Sequence, residues 1–538
     1  MLKTTPLAAL LLCVALTSQA QLSGFSSPQS RLGSEAKYFL RGTVIDAVTG
    51  VPIPHALVQI NADRQHNVFT DGEGRFQINH LPQTQTLLTV VKPGYSTKGQ
   101  GDYNPRRDMV SIGPDTQPIV LKLVPLAEIR GTITDNNGEI LDAVPIKLYY
   151  FRLENGVRKR QEFRQVQTDD EGQYQFSGLP AGDYILSAGP AWKDLSDPFA
   201  PGNSAPFAYA QTFAPGVPQI SEAGILHIAA AQHQQTDLSL GTARTFAIAG
   251  IVTGEVPGQW SLQFINSSGQ QVAFMERKTG RDSFRARVTA GHCLVKAYAN
   301  DHGNHFYGQA DVDVSSDLSG IRISMSQVEV PIIVQRHSAD STQSENSTPP
   351  YLRLISLDPA HPDANSQVTG TPGNWKASIP NIEFGRYRVE MDNNSNWYPE
   401  SLTYGGTDLL TEPLVIAPGS TQAIEMSLRN DTASMAVKVT RPTDTASFLV
   451  TVIAVPEQNP SRATVQRLSL GRGSESSNPD VYFSLPPGRY SVYAFEDSTS
   501  LEYSNPEVLR KFSANAATVN LQGKQPTNVT LSLIRSAE

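Results

Sequence analysis

The chain has 538 residues, of which 39% are hydrophobic and 17% are charged, and it contains 40 Gly and 37 Pro. This length allows three to five domains of the usual ~100–200 residues, and the turn residues are too few for a disordered or collagen-like chain. The formal net charge of −8 argues against a nucleic-acid-binding protein, because such a protein needs a basic surface to neutralise phosphates.

Residues 1–20 have the three parts of a secretory signal peptide. Lys3 supplies the positive charge, residues 7–16 are apolar, and Ala20 is a small residue suited to a cleavage site. The apolar stretch is too short to stay in a bilayer, which needs about 20 such residues. We therefore expect cleavage after Ala20, a flexible linker over 21–35, and a secreted or periplasmic mature chain without a transmembrane segment.

The chain has two cysteines, and the first of them, Cys13, lies in the signal peptide. Lipid attachment at Cys13 is an alternative, but that signal usually has a small residue before the cysteine, and here Leu12 precedes it. Cleavage would leave Cys293 alone. A single cysteine cannot form an internal disulfide, so we expect packed cores to stabilise the exported chain.

An internal repeat with a domain-sized period dominates the rest of the sequence. Its marker is Gly-x-Tyr followed by an apolar strand, found at 182–184, 385–387 and 488–490, with a Gly-x-Cys variant at 291–293. In the first copy, Thr84 and Thr86 take the places of Gly and Tyr. Positions 84 to 488 give a period of 101 residues, whereas solenoid repeats have periods of ~20–50 residues.

Each copy ends in a stretch where apolar and polar residues alternate, which is the pattern of a β-strand with one buried face. The five stretches are residues 119–123, 236–240, 321–325, 424–428 and 529–533. The opening strands of the first two copies, residues 41–46 and 130–135, also share an Arg-Gly-Thr start. Helical periodicity is confined to residues 505–512, where Pro506 suits the first turn of a short helix.

These patterns predict an all-β protein, a tandem array of about five antiparallel β-sandwich domains of the Ig-like or prealbumin-like type. We call them repeats one to five, and their boundaries are 36–125, 126–242, 243–327, 328–430 and 431–538. The short links predict a string of domains with limited flexibility. Five domains end to end would have a radius of gyration of roughly 45–50 Å, against about 24 Å for one compact body.

The first two repeats resemble the carboxypeptidase regulatory-like domain. In repeat one the resemblance rests on residues 42–58, the Thr-Asp-Gly-Glu-Gly turn of 70–76 and the Pro-Gly-Tyr of 93–95. In repeat two it rests on residues 168–174 and 179–184. The last three repeats lose the Thr-Asp turn. The whole layout is similar to that of exported bacterial multi-domain proteins that carry this domain.

The resemblance implies transthyretin-like or prealbumin-like sandwiches, which are grouped with carbohydrate-binding-like folds. In zinc carboxypeptidases this domain accompanies the catalytic domain and does not cut peptides, and in outer-membrane receptors it precedes a plug and a barrel. Here, more repeats follow residue 190. Because a fold does not fix a function, the resemblance favours a protein that is not an enzyme and leaves its ligand open.

Cys293 and the histidines near it could suggest a metal site. Cys293 takes the position that tyrosine holds in other repeats, which indicates a small buried hydrophobe, and alternation directs His292 to the opposite face of the strand. Asp301, His302 and His305 follow among Asn and Gly, as in a surface loop. Zinc needs three or four converging ligands, so we expect no metal here.

The acidic turns at 71–73 and 169–171 could suggest calcium. A calcium-binding EF-hand spaces its ligands over twelve residues, whereas these carboxylates are compressed before a strand, so we interpret both as hairpin turns. Gly-x-Ser-x-Gly, His-Glu-x-x-His and phosphate-binding Gly-rich motifs do not occur in the sequence. We expect no cofactor and assign no catalytic residue.

Aromatic side chains mark two candidate binding sites. The long insertion of repeat two, residues 190–218, carries the candidates Trp192, Phe207, Tyr209 and Phe213, and repeat four carries Trp397 and Tyr398. Exposed aromatic rings could stack on sugar rings or on apolar side chains of a partner. The alternative is that the insertion folds back and covers the core of its own sandwich.

The sequence thus favours a non-catalytic exported protein that acts as a surface or periplasmic binding or spacer module. Its partner would be a glycan or a cell-surface protein, and no nucleic acid is expected. The first alternative is a dedicated carbohydrate-binding protein that uses the loop aromatics. A remote alternative is an enzyme of unrecognised type, which would need a pocket with a perturbed acid–base pair.

Overall fold

The computed structural model describes residues 37–534 apart from several short segments. The segments outside this description are 61–66, 98–107, 155, 193–206, 256–257, 267–268, 279, 303, 338–347, 372–373, 392–396, 421, 441–447, 460–461, 471–479 and 497–500. The predicted signal peptide, with its cleavage site and Cys13, also lies outside the described residues. Within them, no helix has the length and apolar character needed to cross a membrane.

The described residues form β-strands almost throughout, which confirms the predicted all-β class. Repeat one contains β1 (Tyr38–Asp46), β2 (Leu57–Ile60), β3 (Val68–Phe69), β4 (Arg75–Leu81), β5 (Thr84–Val91), β6 (Tyr95–Ser96), β7 (Asp108–Ile112) and β8 (Ile119–Pro125). Repeat two contains β9 (Ala127–Asp135), β10 (Pro145–Glu154), β11 (Val157–Gln167), β12 (Gln173–Leu179), β13 (Gly182–Ala188), β14 (Ala191–Trp192), β15 (Phe207–Tyr209), β16 (Thr212–Phe213), β17 (Leu226–Ile228), β18 (His233–Gln235) and β19 (Leu238–Leu240).

Repeats three to five are also built almost entirely from short β-strands. Repeat three contains β20 (Thr242–Gly254), β21 (Trp260–Ile265), β22 (Ala273–Lys278), β23 (Ser283–Thr289), β24 (Gly291–Asp301), β25 (Asn304–Val314) and β26 (Leu318–Met325). Repeat four contains β27 (Glu329–His337), β28 (Leu352–Ser356), β29 (Ala364–Asn365), β30 (Gln367–Thr371), β31 (Asn374–Pro380), β32 (Gly385–Met391), β33 (Tyr398–Tyr404), β34 (Thr407–Asp408), β35 (Leu414–Ile416) and β36 (Ile424–Arg429). Repeat five contains β37 (Ala433–Thr440), β38 (Phe448–Pro456), β39 (Thr464–Leu470), β40 (Asp480–Leu485), β41 (Gly488–Phe495), helix α1 (Pro506–Arg510), a 3₁₀ turn at Ser513–Asn515, β42 (Ala517–Leu521) and β43 (Pro526–Ser532). A second 3₁₀ turn lies at Ile220–Glu222 in repeat two.

Two sheets enclose each main core, as repeat one illustrates. Its sheets have the strand orders β4-β1-β8-β6 and β3-β2-β5-β7, and apolar side chains from both form one buried cluster. Most neighbouring strands are antiparallel, as predicted. The opening and closing strands of a repeat are parallel, however, as in β1–β8, β20–β26 and β37–β43. The sheets are therefore mixed, a feature that alternation alone does not reveal. The division into five domains stays a prediction.

A glycine in the opening strand makes this parallel pairing possible. Gly42, Gly131 and Gly250 each lie so close to the closing strand that a Cβ atom would overlap its backbone carbonyl oxygen. The opposite strand places an aromatic ring against the same glycine. The three ring partners are Phe76, Tyr174 and Phe284. Glycine is needed here for close approach.

The Gly-x-Tyr marker is a tyrosine corner, in which a buried tyrosine bonds back to the backbone a few residues upstream. The hydroxyls of Tyr184, Tyr387 and Tyr490 each donate to the carbonyl oxygen four residues earlier, at 2.7, 3.0 and 2.9 Å. In repeat three Cys293 takes this position and is buried, which confirms its predicted role. Burial raises the pKa of its thiol to about 12, so the thiolate form is disfavoured.

The Thr-Asp turns stabilise the backbone of the first two repeats. Thr70 Oγ1 accepts a 2.8 Å hydrogen bond from a buried backbone N–H, and Asp71 Oδ1 accepts from the N–H of Arg75 at 2.7 Å. Thr168 and Asp169 make the equivalent bonds in repeat two. The carboxylates therefore serve as turn caps, as predicted. Among the described residues, no three His, Cys, Asp or Glu side chains converge as a metal site would require.

Local segments cover the outer sheet face of two repeats. In repeat five, α1 starts after Asn505, whose side chain accepts from the N–H of Glu507 at 3.0 Å. Leu509 is buried, and the Phe512 ring lies edge-on 5.2 Å from Phe495. This confirms the single predicted helix. In repeat two, the end of the insertion covers the outer face in the same way.

Repeats that are not neighbours in sequence also contact each other. The hairpin of β10 and β11 extends beyond its own sandwich: Lys159 Nζ lies 3.4 Å from Asp363 Oδ2 of repeat four, and the backbone of Gly156 accepts from Ser504 of repeat five at 3.3 Å. An end-to-end string would not allow these contacts. The array therefore folds back on itself, and this hairpin reaches repeats four and five.

Candidate functional site

Repeats three and four bury a group of polar side chains at their junction. β24 alternates normally on its inner face, where Cys293, Val295 and Ala297 join the core of repeat three. The other face carries Leu294 and Lys296, and both are also buried. A strand buried on both faces needs cover on each side, and residues 358–361 and 382–384 of repeat four supply it.

Lys296 and Glu383 form the centre of this group. Lys296 Nζ donates to Glu383 Oε2 at 2.6 Å and also to the carbonyl oxygen of Ala360. His361 Nδ1 lies 2.9 Å from the same carboxylate oxygen, and the Tyr298 hydroxyl donates to Glu383 Oε1 at 3.0 Å. Lys296 is 1% exposed, Glu383 7% and His361 8%. We call these four side chains, Lys296, Tyr298, His361 and Glu383, the junction latch.

The latch keeps Glu383 in its charged form. Burial alone would raise the pKa of this carboxyl, but hydrogen bonds from His361, Lys296 and Tyr298 lower it below its ordinary value. For Tyr298 the direction is opposite, because burial and then the charge of Glu383 raise the pKa of the phenol. A buried carboxylate with this many donors is stabilised only while all of them stay in place.

The tyrosine corner of repeat four positions Glu383. The Tyr387 hydroxyl donates to the backbone carbonyl of Glu383 at 3.0 Å. The corners of repeats two and five have proline at the same position, Pro180 and Pro486. Repeat four thus uses the shared corner to hold a carboxylate toward repeat three. His361 is held by a turn in which its N–H donates to the Asp358 carbonyl at 3.0 Å.

An open cleft lies on one side of the latch. We call it the junction cleft; its volume is about 570 Å³. Its walls are the ends of β21, β24 and β25 and residues 381–383 of repeat four. The lining residues include Gln259, Ser261, Asn300, His305 and Asn381, together with the aromatic rings of Trp260, Tyr298, Phe306 and Tyr307.

A second cleft of about 350 Å³ lies on the other side of the latch, between His292 and His361. His292 contacts Asp311 at 3.4 Å and Asp313 at 3.3 Å. Of the other residues weighed for a metal, His302 contacts Asp301 at 2.7 Å, and His305 contacts an asparagine. Among the described residues, the structure therefore does not bring these histidines together with Cys293.

The insertion aromatics of repeat two lie in different environments. Phe213 is fully buried against the outer sheet face, 6.4 Å from the Tyr149 ring, and Tyr209 is buried in the main core of repeat two. Phe207 is 45% exposed and pairs through its backbone with β20 of repeat three. Trp192 pairs through its backbone with Ala208. Only an exposed ring offers a face to a ligand. Of the Phe207, Tyr209 and Phe213 side chains, that of Phe207 is therefore the accessible candidate.

The two aromatic candidates of repeat four have partners within the fold. Trp397 packs against the core of this repeat, with the Arg336 guanidinium 5.8 Å from its ring. The Tyr398 hydroxyl donates to Asp431 at 2.6 Å, and Arg429 contacts the same carboxylate at 2.6 Å. Neither ring takes part in the junction cleft. Ligand binding by these side chains stays a prediction.

Lys296, His361 and Glu383 were not identified from the sequence. A lysine on the outer face of a strand usually lies in solvent, and a glutamate before a strand usually belongs to a turn. One signal was present: Leu294 and Tyr298 flank Lys296 on the same face. An apolar residue, a lysine and an aromatic on one outer face indicate a covered face.

The predicted family is found in the first repeat. Residues 40–109 match the family model of the carboxypeptidase regulatory-like domain. This confirms the resemblance for repeat one, and its extension into repeat two stays a prediction. No curated protein matches the chain.

Several solved structures are distantly similar to this chain. The TIE protein of Bacillus anthracis has 13% identity and a TM-score of 0.18, and the alignment covers 54% of this chain and half of that one. A streptococcal ancillary pilin has 12% identity and a TM-score of 0.19, covering 54% and 99% of the two chains. A minor pilin of Streptococcus agalactiae has 17% identity and a TM-score of 0.20, covering 41% and 100%. TM-scores this low carry no weight for arrangement or function.

Proposed function

We propose that the chain is a non-catalytic exported protein that serves as a binding or spacer module at the cell surface or in the periplasm. The observation that carries this proposal is the junction latch. A buried ion pair between two repeats fixes their relative orientation, and a rigid scaffold is what a spacer or a composite binding surface needs. Its partner would be a glycan or a surface protein.

The use of the polar groups supports a role other than catalysis. A catalytic acid or base must face a substrate within hydrogen-bonding distance. Glu383 borders the junction cleft, but Lys296, Tyr298 and His361 occupy its carboxylate, and Asp71 and Asp169 cap turns. These groups stabilise the fold.

The alternative of a dedicated carbohydrate-binding protein that uses the insertion of repeat two now depends mainly on Phe207. Burial of Tyr209 and Phe213 favours the interpretation that the described end of the insertion, residues 207–218, covers its own sandwich. Phe207→Ala tests what remains of this alternative, because truncating an exposed ring does not open a core.

The experiment is retention of the purified chain 21–538 on cell-envelope fragments. Fluorescently labelled protein is sedimented with a fixed amount of envelope at increasing protein concentration, and in parallel it is incubated with peptide, ester and glycoside substrates. We expect saturable retention and no turnover. Turnover that Lys296→Met abolishes would show an enzyme, and retention that does not saturate would contradict a specific partner.

A further inference from the structure

We propose that the junction cleft binds a short neutral oligosaccharide. This inference rests on the proposed binding role and names its ligand and its site. The cleft volume of about 570 Å³ falls within the ~300–1,000 Å³ of typical ligand sites. Its walls come from two repeats, so neither repeat alone contains the whole site.

The polar lining fits hydroxyl groups. Gln259, Asn300 and Asn381 supply amides that both donate and accept, and Ser261 supplies a hydroxyl. All four of these side chains are exposed at the rim. Sugar hydroxyls also donate and accept, so amides are suited to them on either side of a ring.

The charge of the cleft favours a neutral ligand. Among the described residues that line it, Glu383 supplies the one carboxylate, and its charge is matched by Lys296 at 2.6 Å. An anionic ligand would meet Glu383, and the described lining includes no Lys or Arg to offset its charge; a cationic ligand would compete with a lysine that is already in place. Each would lose the hydration of its charge without full compensation.

Aromatic groups provide the apolar part of such a site. Tyr298 and Phe306 are half-buried, and both line the cleft. The Tyr298 and Tyr307 rings lie 5.4 Å apart and form one aromatic wall. Aromatic walls beside amide groups match the alternating apolar and hydroxyl surfaces of a pyranose.

The latch holds this site in shape before a ligand arrives. The hydroxyl of Tyr298 is fixed by Glu383 at 3.0 Å, and Asn381 lies two residues before that glutamate with a φ of 58°. Asparagine tolerates the left-handed region better than most residues. A preformed cleft spends little binding free energy on ordering its own side chains.

The test is calorimetric titration of the full chain 21–538 with pure hexasaccharides. The neutral probes are cello-, malto-, xylo- and manno-hexaose and the hexamer of N-acetylglucosamine, and the charged probes are hexamers of galacturonate and of glucosamine. Two rim variants remove cleft amides: Asn300→Ala and Asn381→Gly, of which the second keeps the left-handed backbone. Asn520→Ala, an exposed strand residue of repeat five, is the matched control.

We expect one neutral probe to bind, with about tenfold weaker binding in each rim variant, as for a hydrogen bond left unmade, and unchanged binding in the control. Thermal melting of the variants should match the parent, because rim side chains lie outside the cores. Binding that only Phe207→Ala weakens would overturn the cleft and keep the binding role. Preference for a charged probe would overturn the neutral ligand. No binding of any probe, with envelope retention intact, would overturn this inference and leave the proposed function standing.

Discussion

Lys296 and Glu383 lie 87 positions apart in the sequence and meet at 2.6 Å in a site from which water is almost excluded. Desolvation offsets much of the attraction within a buried ion pair, whereas removing one partner leaves a buried charge uncompensated. The two partners belong to different repeats. The pair therefore links repeats three and four, beside the apolar contacts of Leu294 and Tyr307 with repeat four.

Breaking this pair on one side should destabilise the junction strongly. We expect Lys296→Met or Glu383→Gln to lower the free energy of unfolding by about 3–5 kcal/mol, because the remaining partner stays buried without its counter-charge or full set of donors. Differential scanning calorimetry of both single variants and the double variant measures this. The double variant should lose less than the sum of the single losses.

The matched control is the exposed ion pair of Lys147 and Glu162, which has a similar distance of 3.0 Å. Lys147→Met should cost no more than about 1 kcal/mol. An equal loss at both pairs would contradict the structural importance of the latch.

The latch should also make stability depend on acidity. The pKa of Glu383 is lowered in the folded chain from its ordinary value of 4.5. The stabilisation is therefore present above pH 4.5 and is lost as the pH falls through the lower pKa of the folded state. Melting temperatures of the parent and of Glu383→Gln between pH 7 and pH 3 test this. The difference between them should shrink toward acid, and a constant difference would contradict the ionised latch.

Each tyrosine corner should contribute to the free energy of unfolding through the single hydrogen bond of its hydroxyl group. Phenylalanine at Tyr184, Tyr387 or Tyr490 leaves a carbonyl without its donor, and we expect each change to cost about 1–3 kcal/mol. Tyr351→Phe is the control, because this side chain is 44% exposed. Urea unfolding measures all four. A loss at Tyr351 as large as at the corners would remove the corner interpretation.

The glycines of the opening strands should not accept a side chain. Gly42→Ala would place a methyl group against the carbonyl of Ile119 and the ring of Phe76, and such overpacking typically costs about 1–3 kcal/mol. Gly72→Ala in the same repeat has open space around the added methyl and should be nearly neutral. Thermal unfolding compares the two variants; equal melting temperatures would show that the strands can separate to make room.

The sequence was sufficient wherever a feature depends on residues close together in the chain. The Gly-x-Tyr marker could be recognised in the sequence because the corner that it forms joins residues only four apart. The alternation around Cys293 likewise predicted the burial of its side chain. Lys296 and Glu383 could not be paired in this way, since each has an ordinary local pattern and their contact exists only when two sandwiches pack. The same applies to Lys159 and Asp363. Their contact depends on where the hairpin of β10 and β11 lies relative to repeat four, and the sequence alone does not give that position.

The central claim is that the repeats pack into one fixed, folded-back body. Small-angle X-ray scattering on the chain 21–538 in dilute solution tests it most directly. The contacts of repeat two with repeats four and five predict a radius of gyration below ~35 Å, nearer to the ~24 Å of a compact chain of this length than to an extended array. A value of roughly 45–50 Å, as expected for five domains in a line, would contradict it.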